Sequence, residues 1–106
     1  MREYIILPRA LQDLLDTADY IHDENPEAAH RFLTAARETC ERLLEFPYLG
    51  KQCFFQSEQY ADFRYLPVQD FRNWRIIYKV NQDVVEIVRV MHAARDVENR
   101  LTDEPA

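Results

Sequence analysis

Residues 73–91 read NWRIIYKVNQDVVEIVRVM, two apolar runs joined by three polar residues. In 73–80, Trp74, Ile76, Tyr78 and Val80 share one parity while Arg75, Ile77 and Lys79 share the other. Successive side chains of a strand point to opposite faces, so one face belongs to a core and the second presents two cations. Residues 84–91 are apolar on both parities, which predicts a central strand covered on both sides. Asn81-Gln82-Asp83 makes the turn between them. One run earlier, residues 63–68 (FRYLPV) predict a further strand, with Pro67 marking an edge or a bulge because it donates nothing to the ladder. Together these form a three-strand meander.

Upstream the period changes. Leu11, Leu14, Leu15, Ala18 and Ile21 recur at three- and four-residue steps, with Asp13, Asp16, Asp19 and Asp23 between them. That spacing predicts an amphipathic helix from Pro8 to about Glu24. Asn25-Pro26-Glu27 then restarts a helix: Asn25 caps it, Pro26 opens it, and Glu27 complements the positive end of the dipole. Its apolar face runs through Ala29, Phe32, Leu33, Ala36, Cys40, Leu43 and Leu44, ending near Phe46 before Pro47 and the lone Gly50. So short a link favours an antiparallel hairpin. Residues 3–7 (EYIIL) predict an opening strand, 51–61 a loop without period, and 97–106 a frayed or weakly helical tail. The order predicts a two-layer α+β fold, β-α-α-β-β-β, with an N-terminal strand and an antiparallel helical hairpin packed on an antiparallel sheet.

The 106 residues suit a single domain, 1–106, and 47% hydrophobic with 12% aromatic residues suffices for a core. One glycine excludes the Gly-rich phosphate cradles. No apolar run reaches the roughly 18 residues of a membrane span, and the N-terminus MREYIILPRA lacks a signal-peptide pattern. A soluble cytoplasmic protein without membrane contact is expected. Cys40 and Cys53 form no CxxC pair, so a plain thiol is expected at each, and no metal or cofactor is expected. The formal charge of −6 opposes generic binding to a phosphate backbone. Residues 1–61 carry 6 basic and 11 acidic side chains, whereas 62–101 carry 7 and 6, so the C-terminal half can present a basic face.

Candidate functional residues come from that half. Arg75 and Lys79, extended by Arg64 on the neighbouring strand, either pair with Asp70 or Glu86 as a solvated face or dock an acidic partner or RNA phosphates. His92 closes the last strand with the parity of Val90 and Val88. Arg95-Asp96 reads as a local cap or ion pair. His22 and His30 lie on the helical hairpin with no acid or nucleophile at a forced spacing, and the only serine, Ser57, sits in the loop.

A set of residues in register carries a family resemblance. It comprises Pro8-x-Ala10 with Asp13-Leu14, Tyr20-Ile21, Ala28-Ala29, Cys40 with Leu43, and Pro47-x-x-Gly50. It continues through Arg64-x-Leu66-x-Val68, Phe71, Ile77-Tyr78, and Arg89-Val90-x-His92-x-x-Arg95-Asp96. From Tyr4 to Asp96 the chain resembles the RelE/ParE superfamily of toxins from type II toxin–antitoxin systems, and more closely the ParE branch. The resemblance implies a plasmid-stabilisation role and a cognate antitoxin, encoded beside the toxin, whose flexible segment wraps and blocks it in a toxin–antitoxin hetero-oligomer. The implied target is DNA gyrase, trapped with cleaved DNA. That is inhibition by binding, with no catalytic residue and no sequence-specific nucleic-acid binding by the toxin alone. Arg64, Arg75, Lys79, His92 and Arg95 are then the partner-binding candidates.

The RelE branch implies instead a ribosome-dependent mRNA endoribonuclease, an mRNA interferase. Arg75 matches one of its arginines, Arg64 replaces a lysine, and His92 aligns with a catalytic histidine of some relatives. Leu66 and Ala93 stand where further cations are expected, and about Asn99 where a tyrosine is. Charge stabilisation on phosphate needs its donors assembled, so Arg64, Arg75 and His92 alone make the second reading. A third is a non-toxic binding module of the same fold. Toxins of this superfamily are usually basic; an acidic chain points to weakened toxicity or to an antitoxin held chiefly by apolar contacts.

Overall fold

Two α-helices open at a proline: α1 spans Pro8–His22 and α2 spans Pro26–Glu45. Asn25 caps α2 as its sequence predicts, Oδ1 accepting the Ala28 N–H at 3.1 Å, which satisfies a donor that a first turn leaves open. The computed structural model describes residues 2–94 together with Glu98 and Leu101. Its strands are β1 (Glu3–Ile6), β2 (Lys51–Gln52), β3 (Arg64–Val68), β4 (Phe71–Asn81) and β5 (Val84–His92), in the sheet order β1-β5-β4-β3-β2.

β3, β4 and β5 form the expected antiparallel meander, with a register shift at Pro67/Val68. β1 lies parallel to β5, pairing Glu3 with Val84 and Ile6 with Ile87, so the sheet is mixed. β2 falls in the stretch read as loop. It pairs only Lys51 with Tyr65 and Gln52 with Arg64, too few residues to imprint an alternation on the sequence. A 3-10 turn follows at Glu58–Tyr60.

The two helices cover one face of the sheet. Phe32, Leu43, Ile76, Tyr78, Val85 and Ile87 are buried there, and Phe32 meets Phe71 and Trp74 edge-on at 5.3 and 6.3 Å. The other face departs from expectation. It holds a second core of Cys53, Phe63, Ile77, Met91 and Leu101, with Phe55, Tyr60 and Tyr65 packed around it. The aperiodic 51–61 stretch folds back to supply Cys53 and Phe55, and the Glu98 carboxylate holds it by accepting the Gln56 and Ser57 N–H groups at 2.9 and 2.8 Å. The cations of β4 therefore rim a core and do not define an open face. β5 is covered on both sides, as its double-parity pattern predicts, by Val85, Ile87 and Val90 one way and by Val88 and Met91 the other.

Cys40 belongs to the first core and Cys53 to the second, on opposite faces of the sheet, and both are free thiols. Burial, helped by Glu41, pushes the Cys40 thiol up to about 12. Burial pushes Cys53 up to about 11 against the pull of Arg75. The unfolded chain gives up these protons near pH 9 while the folded chain keeps them, so the stability they lend is complete below pH 9 and is lost as pH rises towards 11–12. Urea unfolding at stepped pH above 9 is expected to show this fall, with the slope in Cys40→Ala shallower by about 1.4 kcal/mol per pH unit. An unchanged slope would contradict a buried Cys40 thiol.

Candidate functional site

β5 outruns its neighbour. β1 ends at Ile6 opposite Ile87, the Leu7 N–H donates to the Ile87 carbonyl at 3.0 Å, and β5 continues to His92 paired with β4 on one side and, among the described residues, with no strand on the other. Backbone groups on such an edge need partners when water is excluded. α1 supplies one. The Asp13 carboxylate accepts the Val90 N–H at 3.0 Å, Arg89 Nε at 2.7 Å and Arg89 Nη2 at 3.1 Å. Arg89 is only 5% exposed, so this is a forked, charge-assisted pair held away from solvent.

A bulge prepares the geometry. Tyr78 pairs with Ile87 but Ile77 with Arg89, leaving Val88 as the extra residue of β5. The bulge turns Val88 into the second core and Val90 into the first, so His92 shares a face with Val90 and not with Val88, contrary to simple parity. Past the bulge, α1 and the ends of β4 and β5 enclose a groove of about 510 Å³ lined by Arg9, Asp13, Tyr20, Trp74, Arg89 and His92, among others. The His92 ring stands perpendicular to Trp74 at 5.0 Å. Its Nδ1 accepts the Ala94 N–H at 3.1 Å, which assigns the proton of the neutral ring to Nε2.

The remaining candidates do not gather here. Arg64 pairs opposite Tyr78 and so lies on the helix-covered face, away from Arg75 and Lys79. It does not extend their patch, because a register residue opposite Tyr78 shares the face of Tyr78. Its Nη1 donates to the Gly50 carbonyl at 2.9 Å and its guanidinium lies 5.1 Å from the Tyr48 ring. Arg75 sits 4.4 Å over Tyr65 and Lys79 5.8 Å over Phe63, cation–π contacts worth roughly 0.5–1 kcal/mol where exposed. Lys79 also reaches Glu86 at 3.8 Å, the pairing that a solvated face would use. Arg95 and the Asn99 position lie outside the described residues.

Beside Arg64, the Gly50 N–H donates to the hydroxyl of the buried Tyr78 at 2.9 Å. Burial raises that hydroxyl's pKa, with Gly50 and Arg64 opposing. Among the described residues no trio of His, Cys, Asp or Glu could hold a metal ion, and no helix is long and apolar enough to cross a membrane.

The Asp13–Arg89 pair is not among the candidates that the sequence pattern singles out. Two signals were available. An arginine inside the doubly apolar run VVEIVRVM requires a counter-charge, and Asp13 alone among the α1 aspartates falls on the flank of Ala10 and Thr17.

Residues 4–97 match the model of a family described as the ParE toxin of type II toxin–antitoxin systems, parDE. Among solved structures, the fold is similar to a chain from a chromosomal ParDE TA system of P. aeruginosa. The two share 17% identity over 87% of this chain and 96% of that one, with a TM-score of 0.71. A comparison with curated proteins finds no match.

Proposed function

The chain belongs to the ParE toxin family of type II toxin–antitoxin systems, and from that premise we propose that it inhibits DNA gyrase by binding. Gyrase would be held on cleaved DNA, without covalent chemistry by this chain. A cognate antitoxin, joined with it in a hetero-oligomer, would neutralise it in the cytoplasm, in the service of plasmid stabilisation. The observation that carries the reading is the dispersal of the three residues that match ribonuclease positions. Arg64 is turned to the Gly50 carbonyl on the helix side, Arg75 lies over Tyr65 on the far side, and His92 stands edge-on to Trp74 at the groove. Phosphoryl chemistry needs such donors converging on one phosphate. A binding surface does not.

The test is a supercoiling assay with purified gyrase. The expected result is lost supercoiling together with accumulated cleaved DNA, both reversed by the antitoxin. Untouched gyrase at large excess of folded protein, with transcripts cut on programmed ribosomes, would transfer the assignment to the mRNA interferase reading.

A further inference from the structure

We infer that the Tyr20 end of the groove binds the quaternary ammonium head of a small organic cation of the choline type. Such a site lies outside the gyrase reading and does not depend on it. Trp74 and His92 form a corner, their rings perpendicular and their centroids 5.0 Å apart. Phe32 meets Trp74 edge-on from the core at 6.3 Å, which fixes the indole in place. Tyr20, 63% exposed, lines the same groove from α1. Aromatic rings gathered around one space hold an alkylated ammonium ion through their negative faces. The groove volume of about 510 Å³ suits a small ligand.

Register places these groups together. α1 and β5 advance in the same direction: the Leu7 N–H bonds the Ile87 carbonyl before α1 begins, and Asp13 bonds the Val90 N–H within it. Six residues of helix rise about 9 Å and three of strand up to about 10 Å, so the two elements keep pace. His92, about 7 Å beyond Val90, therefore stands level with the stretch of α1 between Asp16 and Tyr20. Trp74 pairs directly with His92. Arg9 also lines the groove, but at its other end, about 16 Å from Tyr20 along the helix axis.

Charge selects the ligand. Asp13 cancels the charge of Arg89 at 2.7 and 3.1 Å, and Arg89 is 5% exposed. Asp16 is exposed on the groove wall, one carboxylate oxygen accepting Gln12 Nε2 at 2.8 Å. The local field at the corner is thus that of one carboxylate, within a chain of formal charge −6. An anion is repelled there. A primary ammonium would give up its hydration for a single carboxylate, whereas a trimethylammonium carries its charge on methyl groups that bury against the rings. In a phosphatidylcholine membrane the phosphate beside the ammonium would face Asp16 and the other α1 aspartates, which favours a free cation over a lipid headgroup.

Trp74 is the chain's one tryptophan, so its fluorescence reports the corner directly. The full chain is titrated with choline at constant ionic strength, and a saturable change with a midpoint of about 0.1–1 mM is expected. The uncharged isostere, a tert-butyl group in place of trimethylammonium, should bind at least about tenfold more weakly. Tyr20→Ala should weaken choline binding about tenfold and Asp16→Asn about threefold. Circular dichroism establishes that both variants, altered at exposed positions, are folded. No saturation with the wild type, an equal response to the isostere, or unchanged binding by Tyr20→Ala would each overturn the site. Phosphatidylcholine vesicles that shift Trp74 emission as strongly as choline would give the corner to a membrane and overturn its assignment to a free cation.

Discussion

Asp13→Ala is expected to destabilise the domain by about 3–5 kcal/mol, the range seen when one partner of a buried ion pair is removed. The substitution strips the buried Arg89 charge of the carboxylate that grips it at 2.7 and 3.1 Å, and it also takes away the acceptor of the Val90 N–H. Two losses at one point explain why the expected effect is large for a helix aspartate. Urea denaturation of the purified variant reads it directly. Asp13→Asn keeps an acceptor for Val90 and should lose less. Asp13→Leu combined with Arg89→Met removes both charges and should recover much of the loss, since apolar replacements of buried pairs are often neutral or better. If Asp13→Ala costs less than about 1 kcal/mol, the pair behaves as an exposed surface bridge and the account of the β5 edge fails.

Gly50→Ala should cost about 3 kcal/mol, at the upper end of overpacking effects. A Cβ at residue 50 would stand 2.6 Å from the Tyr65 carbonyl oxygen, 2.7 Å from the Tyr78 hydroxyl and 2.8 Å from Tyr78 Cε1. The nearest of these is backbone of β3, paired with β2 and β4 on either side, so it has little room to yield. Tyr78 is fully buried and gives no more. Thermal unfolding checks the size of the loss. Combining Gly50→Ala with Tyr78→Phe removes the hydroxyl clash yet leaves the carbonyl contact, so the pair should rescue little. Full rescue would shift the blame from the backbone to the tyrosine.

The helices and the meander were legible because their signals are local. Asn25-Pro26-Glu27 contains the whole instruction for starting α2, and the alternation from Trp74 to Val80 needs no knowledge of the rest of the chain. Placement of side chains at the site was harder. A single bulge residue, Val88, reverses parity for everything after it in β5, and nothing in VVEIVRVM marks which residue bulges. The sequence puts Arg64 on a strand next to the cationic one, but only the register opposite Tyr78 fixes the face it takes. The second core depends on residues 53–63 folding back across the sheet, where aromatic content was visible but no period was. Asp13 looked like its solvated neighbours because a helix period distinguishes faces and says nothing of what the neighbouring strand offers.

The parallel pairing of β1 with β5 has a consequence for the nascent chain. Glu3 leaves the ribosome about 80 residues ahead of its partner Val84. At roughly 5–20 residues per second, β1 waits on the order of ten seconds with Tyr4 and Ile6 uncovered. The helical hairpin and the β3–β4 hairpin close over short loops and can form in that interval, whereas β1–β5 docking closes nearly the whole chain. The groove belongs to the late event, since its walls come from α1 at one end of the sequence and from Val90 and His92 at the other. A translation product that stops before β5 therefore carries Asp13, Tyr20 and Trp74 but no groove for them to line.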